Sequence, residues 1–141
     1  MAIVALDTNV WAYAAKVGQT QSDQVKCRIA EDLIRKVLRE DLLIMPVQVA
    51  LELHTVLIRK RGLSRGHARR IVESHMVGAV VVASDEQIAL AGFSLAEQHG
   101  LQTFDAAILA AVANADCSVL YSEDMQHGFE WNGVLVINPF A

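Results

Sequence analysis

Apolar residues recur along this chain in two rhythms. Short β-rich runs fall at Ala2–Leu6, Leu42–Met45, Ala79–Ala83, Val119–Tyr121 and Val134–Ile137. Between them lie longer stretches with helical spacing. A short helix is predicted after Asp7, through Trp11 and Tyr13. A longer amphipathic one is predicted from about Ser22 to Arg39, with Val25, Ile29, Leu33 and Val37 four residues apart. Strands alternating with helices argue for an α/β fold, a parallel sheet covered by helices on both faces.

Punctuation residues divide the helical stretches. Pro46 suits the first turn of a helix that runs to Arg61 and stops at Gly62. Ser64 starts another, to about Met76. Ser84-Asp85-Glu86-Gln87 reads as a capping box opening a helix that ends near His99-Gly100. Asp105 begins an Ala-rich helix ending near Ala115.

Composition narrows the class. The chain has 141 residues, the size of one ordinary domain, 53% of them apolar and 20% charged, which excludes disorder. No apolar run reaches the roughly 20 residues of a membrane span, and the five apolar residues before Asp7 are too few for a signal peptide. The two cysteines, Cys27 and Cys117, match no zinc or redox spacing and read as reduced thiols, so a cytoplasmic location is expected. Net charge is −4, unevenly spread: residues 1–70 hold all twelve Lys and Arg with seven acids, and residues 71–141 hold nine acids and no Lys or Arg. The basic cluster Arg59-Lys60-Arg61, Arg65, Arg69 and Arg70 is a candidate contact for nucleic-acid backbone, or simply a set of solvated helix faces.

The candidate chemistry lies in four acids set in or beside apolar sequence: Asp7, Glu52, Asp105 and Asp124. Asp7 ends the first strand and Asp124 lies just beyond the fourth, at the strand edge where open α/β sheets bind ligands. Asp105 comes at a helix N-terminus. Glu52 sits about 9 Å along its helix from Pro46, among Val49 and Val56, with Gln48 as a polar neighbour. Asp7 and Asp105 could instead be helix caps, and Asp124 a turn acid beside Glu123. Glu52 has no such bland explanation, because an acid on an apolar helix face needs a partner. A divalent cation bound by hard oxygens, magnesium or manganese, would serve all four. The five histidines, His54, His67, His75, His99 and His127, form no ligand pair and read as surface or capping residues.

At these positions the sequence resembles the PIN-domain ribonucleases, specifically the toxins of VapBC-type toxin–antitoxin pairs. The resemblance rests on Leu6-Asp7-Thr8-Asn9-Val10, Val49-Ala50-Leu51-Glu52-Leu53, Asp105-Ala106-Ala107-Ile108-Leu109-Ala110 and Tyr121-Ser122-Glu123-Asp124-Met125, in order. The closing Gly133–Phe140 also looks like that family's last strand. The resemblance covers nearly the whole chain and implies one PIN-like ribonuclease domain over residues 1–141. It implies a three-layer α/β/α sandwich on a five-stranded parallel sheet, with magnesium- or manganese-dependent cleavage of RNA. Asp7, Glu52, Asp105 and Asp124 would be catalytic, with Asp7, Glu52 and Asp105 as metal ligands. Thr8 or Asn9, and Ser122, would hydrogen-bond the carboxylates. Glu123 and Asp124 compete for the fourth position. The family also implies a cognate antitoxin and a homodimer.

Phosphodiester hydrolysis needs an activated water and a sink for charge on phosphate oxygens, and one ion or a two-ion pair meets both needs. Arg59, Arg65, Arg69 and Arg70 would contact RNA backbone. The rival readings are a solitary RNA-processing PIN nuclease, another magnesium-dependent phosphohydrolase, and a non-catalytic binding module. Against the phosphohydrolase, the chain has no Lys after Lys60, and Asp7-Thr8-Asn9 lacks the second acid of a D-x-D signature.

Overall fold

The computed structural model describes residues 1–15 and 23–141. The elements run β1 (Ile3–Leu6), α1 (Thr8–Ala14), α2 (Gln24–Glu40), β2 (Leu42–Pro46), α3 (Val47–Arg59), α4 (Arg65–Val77), β3 (Val80–Val82), α5 (Glu86–His99), α6 (Thr103–Asn114), β4 (Val119–Tyr121), β5 (Glu130–Trp131) and β6 (Val134–Ile137). The expected start of α2 at Ser22 lies outside the described residues.

The sheet order is β3-β2-β1-β4-β6-β5. The five expected strands pair in parallel. A sixth, β5, was not expected; it adds an antiparallel edge through Glu130↔Leu135 and Trp131↔Val134. Two residues are too short for an alternating pattern to register. The positive φ of Asn132 (47°) and Gly133 (82°) makes the tight turn that joins β5 to β6.

Topology places the site. From β1 the chain steps to β2 and then β3 in one direction. It then crosses back to β4 on the other side of β1. Right-handed crossovers moving in opposite directions put their helices on opposite faces, giving three layers. α1 packs on α2 and α3, and α3 on α4; α5 and α6 form a separate, close pair. At Gly92 an added Cβ would lie 3.3 Å from the Ala107 Cα, so the two helices approach closely here and a side chain would require the backbone to give by a few tenths of an ångström. The core between the layers includes Leu6, Trp11, Met45, Leu53, Leu57, Ile108, Leu109 and Leu120, all essentially sealed from solvent.

Helix details refine the sequence expectations. In α2 the buried stripe is Cys27, Ala30 and Val37, whereas Val25 is exposed. Val37 is buried as expected and Ile29 and Leu33 are half-buried, so the periodicity holds and the phase shifts by about a quarter turn, at about 100° per residue, toward Cys27 and Ala30. Asp85, not Ser84, caps α5: its Oδ1 accepts the Ile88 N–H at 3.0 Å. Ser64 caps α4 as expected, accepting from His67 N at 3.1 Å. Cys27 and Cys117 are both buried and are not joined in a disulfide. Among the described residues no helix is long and apolar enough to cross a membrane.

Candidate functional site

The sheet order reverses between β1 and β4, and the first and fourth acids leave those two strands. Leu6 pairs with Tyr121, and the ladder extends by one more bond, from Asp7 N to the Tyr121 oxygen at 2.8 Å. Asp7 is therefore fixed at the carboxyl edge of the sheet, at the switch point where ligands bind in open α/β folds. It is only 3% exposed. Its Oδ1 accepts from Thr8 N at 2.7 Å and its Oδ2 from Ser122 Oγ at 2.8 Å. Ser122 Oγ in turn accepts from Met125 N at 3.2 Å, which locks the hydroxyl's direction. Asp7 is also the N-cap of α1, so the cap and site readings coincide.

Burial drives the Asp7 carboxyl up from 3.8 to about 6. The two hydrogen bonds oppose that rise, and the charges of Asp105 and Glu52 add to it. The Asp105 carboxyl is likewise pushed up to about 6, first by burial and then by Asp124 and Glu52, with no hydrogen bond opposing it. Asp7 thus feels Asp105 and Glu52, and Asp105 feels Asp124 and Glu52, although the acids come from β1, α3, α6 and the segment after β4. Asp105 is not a cap. Its helix begins two residues earlier at Thr103, and no side chain caps it. Asp105 instead projects from the first turn, half-buried, where the helix N-terminus favours negative charge. Glu52 is half-buried on α3 between sealed Val49 and Leu53 and exposed Leu51.

Glu123 and Asp124 have different partners. Glu123 turns away: it accepts from the Tyr13 hydroxyl at 3.0 Å and makes an ion pair with Lys26. Asp124 turns in: its Oδ2 accepts from Asn9 Nδ2 at 2.8 Å, and its charge raises Asp105. Asn9 and Ser122 thus support carboxylates through their side chains, and Thr8 does so through its backbone N–H. The Thr8 hydroxyl is buried without a hydrogen-bond partner. Sequence reading missed Lys26 and Tyr13, since both reach Glu123 across about a hundred residues and leave no local signal.

Of the basic residues, Arg59, Arg65 and Arg70 are exposed, and Arg69 is held by Glu73 one turn along α4 at 2.7 Å. The Arg61 guanidinium lies 5.8 Å from the centre of the Tyr13 ring, which brings the end of α3 beside the Glu123 corner. One histidine departs from expectation. His75 is not a surface or capping residue but packs half-buried on Trp11, with ring centroids 4.9 Å apart, because α4 crosses α1 there.

Among the described residues no group of three or more His, Cys, Asp or Glu side chains is placed to hold a metal ion. The chemistry of the four acids nevertheless suits a hard cation. The donors are carboxylate oxygens, two of the acids resist ionising, and among the described residues none of the four is ion-paired to Lys or Arg. Magnesium keeps several of its waters and takes one or two protein carboxylates, so an open acidic pocket suits it better than a cage does.

The PIN domain family model matches residues 4–128. The chain belongs to the PIN domain family. No curated protein matches it. Among solved structures it is similar to VapC20 of Mycobacterium tuberculosis, a Sarcin-Ricin loop cleaving toxin, at 16% identity and TM-score 0.66, over 86% of this chain and 89% of that one. It is also similar to VapBC2 from Rickettsia felis bound to a promoter DNA fragment, at 13% identity and TM-score 0.70, over 95% and 96%. A third is VapBC-1 from nontypeable Haemophilus influenzae, at 21% identity and TM-score 0.60, over 86% and 87%. At these identities the likeness is one of fold: the PIN architecture spans almost the full length of each relative.

Proposed function

We propose that residues 1–141 form a single PIN-like ribonuclease domain, a metal-dependent endoribonuclease that serves as the toxin of a type II toxin–antitoxin pair. The reading is supported by Asp7 buried at the switch point of a PIN-family sheet, with Asp105 and Glu52 near enough to raise its carboxyl, Asp124 and Glu52 near enough to raise that of Asp105, and, among the described residues, no Lys or Arg ion-paired to any of the four. Asp7 and Asp105 are the principal magnesium or manganese ligands. Glu52 binds directly or through water, and Asp124 orients the attacking water. The ion supplies Lewis acidity toward the phosphate and lowers the pKa of bound water. Ser122 holds Asp7 with one oxygen turned to its hydroxyl, and Asn9 does the same for Asp124. Arg59, Arg65 and Arg70 draw in the RNA backbone, with Arg69 secondary to them because Glu73 already occupies it.

The toxin assignment draws support from the relatives of the same fold, two of which are described as VapBC complexes. A cognate antitoxin, a homodimer and a cytoplasmic location follow on that reading. The test is digestion of cellular RNA by purified protein in chelator, magnesium and manganese, with the ends mapped, beside Asp7→Asn. Metal-dependent cleavage at discrete sites, lost in Asp7→Asn while the circular dichroism spectrum is kept, is the expected result. Full activity in Asp7→Asn removes the proposed site.

A further inference from the structure

A cavity of about 390 Å³ is lined by one of the four acids, Glu52, together with Gln48, Leu51, Thr55 and Phe104, the residue before Asp105. Its size falls in the range of ~300–1,000 Å³ usual for small-ligand sites. Two of its walls are apolar and face solvent: Leu51 is 67% exposed and Phe104 66%. Each is the chain neighbour of an acid, Leu51 of Glu52 and Phe104 of Asp105, so the apolar walls and the carboxylates are held by the same two helices, α3 and α6. The polar groups are few. Thr55 Oγ donates back to Leu51 O at 3.2 Å and keeps its lone pairs. Gln48 donates its amide N–H to Ser84 Oγ, while its Oε1 is buried with no hydrogen-bond partner.

We propose that this cavity is a nucleobase subsite, with Phe104 as the stacking platform for the base next to the scissile phosphate. The inference rests on the nuclease reading above and adds where the substrate's base goes. An exposed aromatic ring flanking a phosphate-handling site is what single-stranded RNA requires. Its unstacked bases recover their lost stacking on aromatic side chains, and their edges are then read by amide and hydroxyl groups. Leu51, on the other helix, lines the same slot. Thr55 Oγ, whose lone pairs are open, supplies an acceptor for a donor on the base edge. A second protein chain fits the cavity less well. The slot is lined by Glu52, a carboxylate that an apolar protein contact would have to desolvate.

The experiment uses the full chain with single-stranded RNA oligonucleotides carrying 2-aminopurine at successive positions, in magnesium, on the Asp7→Asn background. Quenching of the probe at one position is expected. Phe104→Ala should abolish it and weaken binding by about tenfold or more, and Phe104→Trp should restore both. In the otherwise wild-type chain, Phe104→Ala should raise KM and blur the cleavage-site preference, with its melting temperature unchanged because the ring is exposed. Quenching and affinity within twofold in Phe104→Ala overturn the subsite, as does a shift from dimer to monomer with quenching unchanged, which would give the surface to a second copy. If RNA is cleaved with the same KM and sites in Phe104→Ala, the subsite fails and the nuclease reading stands. If the wild-type chain cleaves nothing but the Phe104-dependent quench is present, the nuclease reading fails and the base-binding slot stands.

Discussion

Asp7→Asn should make the metal-free protein more stable while it abolishes cleavage, and the structure fixes the size and pH range of the gain. The Asp7 carboxyl rises from 3.8 to about 6 on folding, about two pH units. At about 1.4 kcal/mol per unit, keeping it ionised in the fold at neutral pH costs about 3 kcal/mol. The sign follows from proton counting. Between about pH 4 and 6 the folded chain holds a proton on Asp7 that the unfolded chain has lost, so stability falls as pH rises through that window and stays low above it. Asparagine carries no charge and keeps one carbonyl oxygen for Thr8 N, while its amide can donate to Ser122 Oγ. The hydrogen bonds to the charged form are already contained in that shift, so the gain at pH 7.5 is about 3 kcal/mol, several degrees in melting temperature for a chain of this size. Thermal and urea melts of both proteins, in chelator, from pH 4 to pH 8, measure it. The two curves should meet near pH 4 and separate by pH 6. Manganese should close the gap by stabilising only the wild type, since a ligand bound to the native state at a hundred times its Kd adds about 2.7 kcal/mol. An Asp7→Asn protein less stable than wild type at pH 7.5, or two parallel pH profiles, refutes the argument that burial and neighbouring acids strain this carboxylate.

Three further outcomes follow from contacts already described. Glu123→Gln should keep cleavage within a few-fold and lose about 0.5–1 kcal/mol of stability, because Glu123 serves the part-exposed Lys26 and Tyr13, whereas Asp124→Asn should cut kcat at least tenfold; initial rates on one RNA decide between them, and the reverse ranking reassigns the fourth acid. Neutralising Arg65 and Arg70 should each lower the slope of log K against log salt for single-stranded RNA by about 0.7, with a smaller change for Arg69, which is paired with Glu73; binding isotherms at several salt concentrations report it, and unchanged slopes remove the cluster from the interface. Gly92→Ala sets a Cβ 3.3 Å from the Ala107 Cα against about 1 kcal/mol of helix propensity; a lower urea midpoint with an unchanged m-value shows that the α5 and α6 backbones do not give, and a raised one that they do.

The parts of the fold legible in the sequence were those whose signal is local. β1, β4 and β6 are buried strands with continuous apolar runs, and Ser64, Gly100 and Pro46 mark helix ends by stereochemistry that acts within a few residues. Their boundaries shifted by only a residue or so. What could not be read depends on tertiary contact. β5 exists because β6 offers it an edge. Val25 is exposed and Cys27 buried because of how α2 meets α1, which periodicity alone does not phase. Among the acids, Asp105 looked like a cap until the helix was found to start at Thr103. Glu123 and Asp124 are indistinguishable as neighbours in a sequence, and only Lys26 and Asn9, both far away along the chain, tell them apart.

The way charge is apportioned along the chain also has a physical consequence. The first 70 residues hold every Lys and Arg, yet they also supply Asp7 and Glu52 to the acidic pocket; residues 71–141 supply Asp105 and Asp124 and no cation at all. Lys26, the basic side chain in contact with this corner, is taken up by Glu123 and so is kept off the inward-facing Asp124. A cation that paired permanently with the pocket would relieve the strain on Asp7 and Asp105, and it would also compete with a metal for the same oxygens. Glu123→Gln therefore tests more than stability. With Glu123 neutral, Lys26 is free to swing toward Asp124, so the pocket's affinity for manganese should fall while the Asp7 carboxylate ionises more readily. Manganese titration of the melting temperature in Glu123→Gln and in Glu123→Gln/Lys26→Met separates the two effects: the double variant should recover wild-type manganese affinity. If both variants bind manganese like the wild type, the Lys26–Glu123 pair holds α2 in place and has no part in keeping the acidic pocket open to a metal.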